Sequence, residues 1–214
     1  RKKHIYYYVD NRPVDTAEVV MLADVIKASK LSAAQKNNLI AKLSKTLLGA
    51  PLAKSISDKV IFPGVGEAET TMNFLNGGNM GQLIKELRQP VLGICLGMQL
   101  MCRHSEEGDV DCLNIFDVEV KRFHTESTEY KIPHMGWNTV RNVDMHMFPQ
   151  HIENQYVYFV HSYYVPVCEY TTAETEYILP FSAALHKDNF YASQFHIEKS
   201  GAVGEDIFNH FLSL

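Results

Sequence analysis

Positive charge is in short supply in this sequence: 20 Lys and Arg stand against 25 Asp and Glu, a net charge of −5. With no long basic run and no alternation of basic and aromatic residues, a nucleic-acid surface is not expected. Long apolar runs are also missing, and none approaches the ~20 residues that a membrane-spanning helix needs. Arg1-Lys2-Lys3 before Ile5-Tyr6-Tyr7-Tyr8-Val9 has the look of a signal peptide, but the apolar stretch is short and meets Asp10 and Arg12 at once, so a first strand is the reading. Cysteine is sparse: Cys95, Cys102, Cys112 and Cys168 show no C-x-x-C spacing, which excludes a disulfide framework and fits a reducing cytoplasm. No G-x-x-x-x-G-K-[ST] occurs, so nucleotide binding through a P-loop is excluded. Among the ten histidines, His134, His146 and His151 form the nearest grouping, yet at no ligand spacing. They are read as scattered surface residues, and neither metal nor cofactor is expected.

What is present is enough for one sizeable core: 214 residues, 46% of them hydrophobic, predict a single domain. Its most informative segment is Pro90-Val91-Leu92-Gly93-Ile94-Cys95-Leu96-Gly97-Met98-Gln99, a buried-strand pattern running through Gly-x-Cys-x-Gly into a helical stretch. That is a nucleophile elbow carrying sulfur. The glycines permit a sharp turn, and the start of the helix offers free N–H groups to a thiolate. Cysteine is often only a small core hydrophobe, so the elbow needs partners. They stand in Gln194-Phe195-His196-Ile197-Glu198, at the end of an aromatic and β-branched strand. If that strand stays extended, His196 and Glu198 point to the same side, where a carboxylate can fix the imidazole tautomer. A thiol needs a base to take its proton and an acid to return it to a leaving amine, and such an imidazole does both. Gln99, one helical turn beyond Cys95, faces the same cleft.

These residues resemble the class I glutamine amidotransferases, and among them the glutaminase subunits of imidazole glycerol phosphate synthases. The resemblance rests on Lys59-Val60-Ile61-Phe62-Pro63-Gly64-Val65-Gly66-Glu67-Ala68, the Cys95 elbow, Pro133-His134-Met135-Gly136-Trp137-Asn138, and Tyr158-Phe159-Val160-His161-Ser162-Tyr163 with the His196 segment. It runs from about residue 58 to 214. It implies an α/β fold: one domain, a mainly parallel central sheet and flanking helices. It further implies hydrolysis of L-glutamine by Cys95 as nucleophile, His196 as general base and acid, and Glu198 as orienter. Oxyanion donors would come from Leu96 and from the Val65-Gly66 loop. Gly64, Gln99 and the backbone of His161, Ser162 and Tyr163 would hold the substrate. Lys199 would stand at the boundary with a separate synthase chain, forming a heterodimer that uses the ammonia to make imidazole glycerol phosphate and aminoimidazole carboxamide ribotide in histidine biosynthesis. The chain has no room for an eight-stranded barrel of about 250 residues beside the glutaminase.

Two departures from the family pattern stand out. Residues 10–15 lack the glycines of the family's first turn, and the spacing predicts a helix over 16–29, with Val19, Leu22 and Ile26 on one face. A second helix follows where the family has a strand, with Ser32 and Gln35 as a capping box, Leu39, Ile40, Leu43 and Leu47 as its stripe, and Gly49 at its end. Ile197 replaces the family's proline between the catalytic His and Glu, which predicts a looser frame for both side chains. Two rival readings are a glutaminase of another synthase, such as that of the pyridoxal phosphate pathway, and a non-catalytic subunit of the same fold. The Pro133–Asn138 segment speaks against the first, and the intact triad against the second.

Overall fold

The computed structural model describes residues 59–64, 66–77, 80–144 and 148–214. All of them belong to one compact unit, Asp58–Leu214. The strand and helices expected before residue 58 lie outside the described residues, as do Val65 and His146, and the reading of residues 1–214 as one domain extends beyond them.

In chain order, β1 (Val60–Gly64) is followed by α1 (Ala68–Gly77), α2 (Met80–Glu86), β2 (Val91–Cys95) and α3 (Leu96–Met101). Next come β3 (Cys102–Ser105), β4 (Val110–Asp111), β5 (Phe116–Arg122), β6 (His134–Thr139), β7 (Tyr156–His161) and β8 (Tyr163–Tyr164). The chain closes with β9 (Thr171–Tyr177), β10 (Leu179–Lys187), β11 (Phe190–Ser193) and α4 (Gly201–Ser213).

The central sheet has the order β1-β2-β11-β10-β9. The fold is α/β as expected, and the sheet is mixed: β1 and β11 flank β2 in parallel, whereas β10 pairs antiparallel with both β11 and β9. Burial explains the sequence of β2. Val91, Leu92, Gly93 and Ile94 are all buried, the continuous apolar run of a strand covered on both faces. Val91 joins a core with Met72 and Leu75 of α1 and Met98 and Met101 of α3. Leu92 and Ile94 point to the other face, where they meet Phe159, Phe181, Phe195 and, from α4, Ile207 and Phe211. The last two are four residues apart and so lie on one helical face. Burying each such side chain is worth about 1.5–3 kcal/mol.

Two smaller sheets complete the unit. One has the order β4-β3-β5-β8; the other is the ribbon β6-β7, in register from His134 opposite His161 to Thr139 opposite Tyr156. The ribbon is fastened to the rest by isolated bridges, Arg141 to Glu174 and Tyr158 to His196. Among the described residues, no helix is long and apolar enough to cross a membrane.

The tightest backbone contact in this unit lies where β1 passes the start of α3. A Cβ on Gly97 would stand 1.9 Å from the Phe62 carbonyl oxygen, and one on Gly64 would stand 2.7 Å from the Gly97 nitrogen. Neither neighbour is a side chain that can swing away. Gly97→Ala should therefore cost about 3 kcal/mol or more, or abolish folding, since overpacking typically costs about 1–3 kcal/mol and this neighbour is rigid backbone. Gly77→Ala, at the end of α1 with nothing within 4 Å of its Cβ, should change stability by less than ~1 kcal/mol. Denaturant midpoints of the two variants check the contrast.

Candidate active site

Cys95 ends β2 and caps α3 with φ 54° and ψ −109°. It is a non-glycine residue at positive φ, a conformation that costs on the order of 1–3 kcal/mol and persists only where the surroundings impose it. The glycines on either side were expected to permit the sharp turn and close backbone approach. The cysteine itself carries the unusual dihedrals of the turn, and Gly93 and Gly97 supply the close approach, Gly93 with its Cβ position 3.0 Å from the Gly97 carbonyl carbon and the Met101 sulfur. The result projects the thiol from the carboxyl end of the central parallel strand, the edge where open α/β sheets place their ligands. Its sulfur lies 3.9 Å from the Val160 carbonyl and 3.8 Å from Gln194 Nε2.

His196 reaches this sulfur from the turn that follows β11, and Glu198 reaches His196, by a local route different from the expected one. β11 stops at Ser193, the last residue paired with β2, and Ile197–Lys199 form a 3-10 turn. The turn, and not an extended strand, brings His196 Nδ1 to 2.6 Å from Glu198 Oε1. The turn carrying Ile197 is hydrogen-bonded on both sides. His196 N–H donates to the Tyr158 carbonyl at 2.8 Å, while Ser200 Oγ donates to the His196 carbonyl at 2.6 Å and accepts from Tyr158 N–H at 3.1 Å. Ile197 is buried in the core on that side, and α4 backs onto the turn so closely that a Cβ on Gly204 would stand 2.0 Å from the Ile197 carbonyl oxygen.

The electrostatics follow from these contacts. Burial opposes charge on His196, but hydrogen bonds to Cys95 and Glu198 outweigh it and push its pKa up to about 9. Burial likewise works against the Glu198 carboxylate, and the hydrogen bond from His196 overrides it, leaving the carboxyl below its usual range. At neutral pH His196 and Glu198 form a charged pair, with Glu198 at the solvent end and the imidazole buried between that carboxylate and the Cys95 sulfur.

Leu96 opens α3, so its N–H has no partner within the helix. Gly66 is exposed with φ +131°, a conformation that L side chains rarely adopt. Gly64 lies buried beneath the elbow, and half-buried Ser162 lies between β7 and β8 with its carbonyl taken by Phe123 N–H at 3.0 Å. Gln99 is buried, and its Nε2 donates to the Tyr163 carbonyl at 3.0 Å and to Gln194 Oε1 at 2.9 Å, which fixes the orientation of its amide. His161 turns away from the cleft: its Nδ1 donates to the Tyr163 carbonyl at 2.7 Å and its Nε2 lies 3.1 Å from His134 Nδ1. Any substrate contact at this position belongs to its backbone. His134 corrects the surface reading of that histidine, because it is buried and stacked on Tyr177 at 4.0 Å. Burial lowers the pKa of His134 to about 4 and that of His161 to about 3. His151 is exposed beside Asp206. Lys199 is exposed, with Nζ 5.8 Å from the Tyr158 ring centre. Sequence reasoning gave Gln194 no role. Its signal was a lone amide at the end of the run Phe190 to Phe195, where burial would force it to find partners.

A family model described as glutamine amidotransferase class-I matches residues 28–214. The chain is 67% identical over 158 residues to the imidazole glycerol phosphate synthase subunit HisH of Bacteroides thetaiotaomicron, covering 74% of this chain and 81% of that one. It is 45% identical over 158 residues to the protein of the same name from Idiomarina loihiensis, covering 74% and 79%. Among solved structures, one from Thermoplasma acidophilum, described as part of a GMP synthase, superposes with a TM-score of 0.55 at 20% identity, covering 74% of this chain and 73% of that one. Another, described as a glutamine amidotransferase, gives 0.52 at 14% identity, covering 81% and 90%. At such identities the solved structures speak for the fold alone.

The raised pKa of His196 has a sign that stability measurements can read. Its contribution is fully present below the ordinary value of 6.5 and is lost as pH rises through about 9. Glu198, held below its ordinary 4.5, contributes above that value and loses the contribution as pH falls. The stability gap between wild type and His196→Ala should therefore be widest between about pH 4.5 and 6.5 and should shrink toward pH 10. Denaturant unfolding across that range is the check, and a gap that widens with alkalinity contradicts it.

Proposed function

Because the chain belongs to the class I glutamine amidotransferases, we propose that it is the glutaminase subunit of an imidazole glycerol phosphate synthase, releasing ammonia from L-glutamine for a synthase chain of histidine biosynthesis. The observation that carries the reaction is the relay of Cys95, His196 and Glu198 at the carboxyl end of β2. The sulfur of Cys95 attacks the side-chain amide carbon, and the carbonyl oxygen takes the negative charge. The N–H of Leu96 and a peptide N–H of the Val65-Gly66 loop receive that oxyanion. The His196 imidazolium then protonates the leaving nitrogen, ammonia departs and a γ-glutamyl thioester remains on Cys95. Neutral His196 next takes a proton from water, which attacks the thioester and frees glutamate. Glu198 holds the imidazole in one tautomer throughout and balances its charge. The free oxygen of Gln99 suits the substrate's ammonium group, with Ser162 and the backbone around it at the other side of the cleft.

The synthase chain is best accommodated beside this relay. Met135, Trp137 and Tyr156 are exposed on the β6-β7 ribbon, whose β7 residue Tyr158 contacts both Trp137 and Lys199. An apolar face of this kind next to Lys199 suits a protein partner, and ammonia released at Cys95 would have a short path to it. A cytoplasmic heterodimer follows from this reading.

Cys95→Ser should abolish glutamine hydrolysis while the complex still forms and still works with added ammonium salt. Serine keeps the shape, but its hydroxyl is far less acidic than a thiol. Glutamate release within a few-fold of wild type defeats the assignment. In the same assay His196→Ala should lose more of kcat than Glu198→Gln, because the imidazole carries the proton in both half-reactions and the carboxylate only orients it.

A second expectation concerns coupling to the partner. If the Val65-Gly66 peptide turns its N–H inward only in the complex, the isolated chain lacks one oxyanion donor, a deficit of about 2.7–4 kcal/mol or two to three orders of magnitude in rate. Gly66→Val should block activation, since φ +131° with nothing within 4 Å of a Cβ makes the obstacle conformational and not steric. Steady-state rates with and without the synthase chain and its nucleotide ligand decide it. A fully active isolated chain overturns the idea.

A further inference from the structure

We propose that Gln194 is a further residue of the nucleophile's site: its side-chain amide donates an N–H to the Cys95 sulfur and favours the reactive thiolate. The inference rests on Cys95 as the nucleophile and on nothing about the pathway. Gln194 is fully buried, and its backbone N–H is already bound to the Ala183 carbonyl at 2.8 Å. One end of its side chain lies 2.9 Å from Gln99 Nε2 and the other 3.8 Å from Cys95 Sγ.

Which end faces the sulfur is fixed by a carbonyl on the far side of Gln99. The Tyr163 oxygen accepts and never donates, so the Gln99 atom 3.0 Å from it is the nitrogen. That nitrogen also donates to Gln194, whose facing atom is accordingly the oxygen. The opposite end, toward Cys95, is the NH2 group. The second lone pair of the Tyr163 oxygen takes the Nδ1–H of His161 at 2.7 Å, and His161 Nε2 accepts from His134 Nδ1 at 3.1 Å. Both histidines stay neutral at working pH, because burial holds their pKa values near 3 and 4. Donor direction along the whole chain, from His134 through Tyr163 and Gln99 to Gln194, is the same at any pH where the enzyme operates.

A hydrogen bond aimed at sulfur discriminates between its two charge states. A thiol sulfur is a weak acceptor, whereas a thiolate accepts strongly, so the contact tightens when the proton leaves for His196. Without the amide, the thiolate would face this buried side of the site with no donor and bear the cost of desolvation. A residue that merely filled space would not distinguish the two states.

The test is the pH dependence of Cys95 alkylation by iodoacetamide, read by mass spectrometry on the Cys95 peptide of the full chain. Gln194→Met keeps length and removes the donor, while Gln194→Glu keeps the shape and an acceptor for Gln99. In both, alkylation at pH 7 should fall about tenfold, the scale of one hydrogen bond to a charged group, while the limiting rate at high pH stays unchanged. In the complex, kcat for glutamine should fall and KM should hold. If either variant fails to fold, the wild type still decides: the Gln194 side-chain amide resonances should move with the same pH midpoint as thiolate absorbance, and in Cys95→Ala that movement should vanish. An unaltered alkylation profile in a folded variant, or amide resonances indifferent to Cys95 ionisation, overturns the proposal. Loss of the histidine-pathway reading would leave the alkylation result standing, so the two failures are distinguishable.

Discussion

The backbone of Cys95 is held at φ 54° and ψ −109°, and most of what surrounds it can be understood as what keeps it there. A residue in that conformation relaxes unless its neighbours forbid it. Here β1 and β11 clamp β2 in parallel register up to Gly64 and Ser193, and α3 starts at the next residue, pressed against β1 with no space for a side chain at Gly97. Core packing on both faces of β2 fixes the strand, the strand fixes the elbow, and the elbow aims the sulfur. Stability and reactivity are one problem at this position.

A second constraint orients the polar groups. The Tyr163 carbonyl takes donors from His161 and Gln99, and each of these passes a direction onward, to His134 and to Gln194. One backbone oxygen thereby sets two tautomers and two amide orientations in a region where little water can compensate for an error. On the opposite side of the sulfur, His196 is carried by the turn that Ser200 ties to Tyr158. The apolar elements around the cleft supply rigidity. The hydrogen-bonded ones supply direction.

Legibility in the sequence followed the range of the interaction. The elbow at Cys95, its parallel strand and the pairing of His196 with Glu198 could be read because each rests on local spacing. The 3-10 turn over Ile197–Lys199 could not, since the end of β11 is set by how far β2 extends beside it. His134 follows a polar stretch and gives no sign that β7 will bury it against His161; only the ribbon register does so. Gln99 was expected to face the cleft, but the orientation of its amide is set by Tyr163, 64 residues away. The mixed character of the sheet comes from β9 and β10, whose hairpin direction no single segment declares.

The proposed reaction requires a covalent γ-glutamyl thioester on Cys95. Acid quenching of the complex during turnover of L-glutamine, followed by peptide mass spectrometry, observes that species directly. The glutamyl adduct should appear on the peptide containing Cys95, accumulate within the first turnover and disappear as glutamine is exhausted. An adduct on Cys102, Cys112 or Cys168, or steady turnover with no adduct on any cysteine, would contradict the placement of the nucleophile at the elbow.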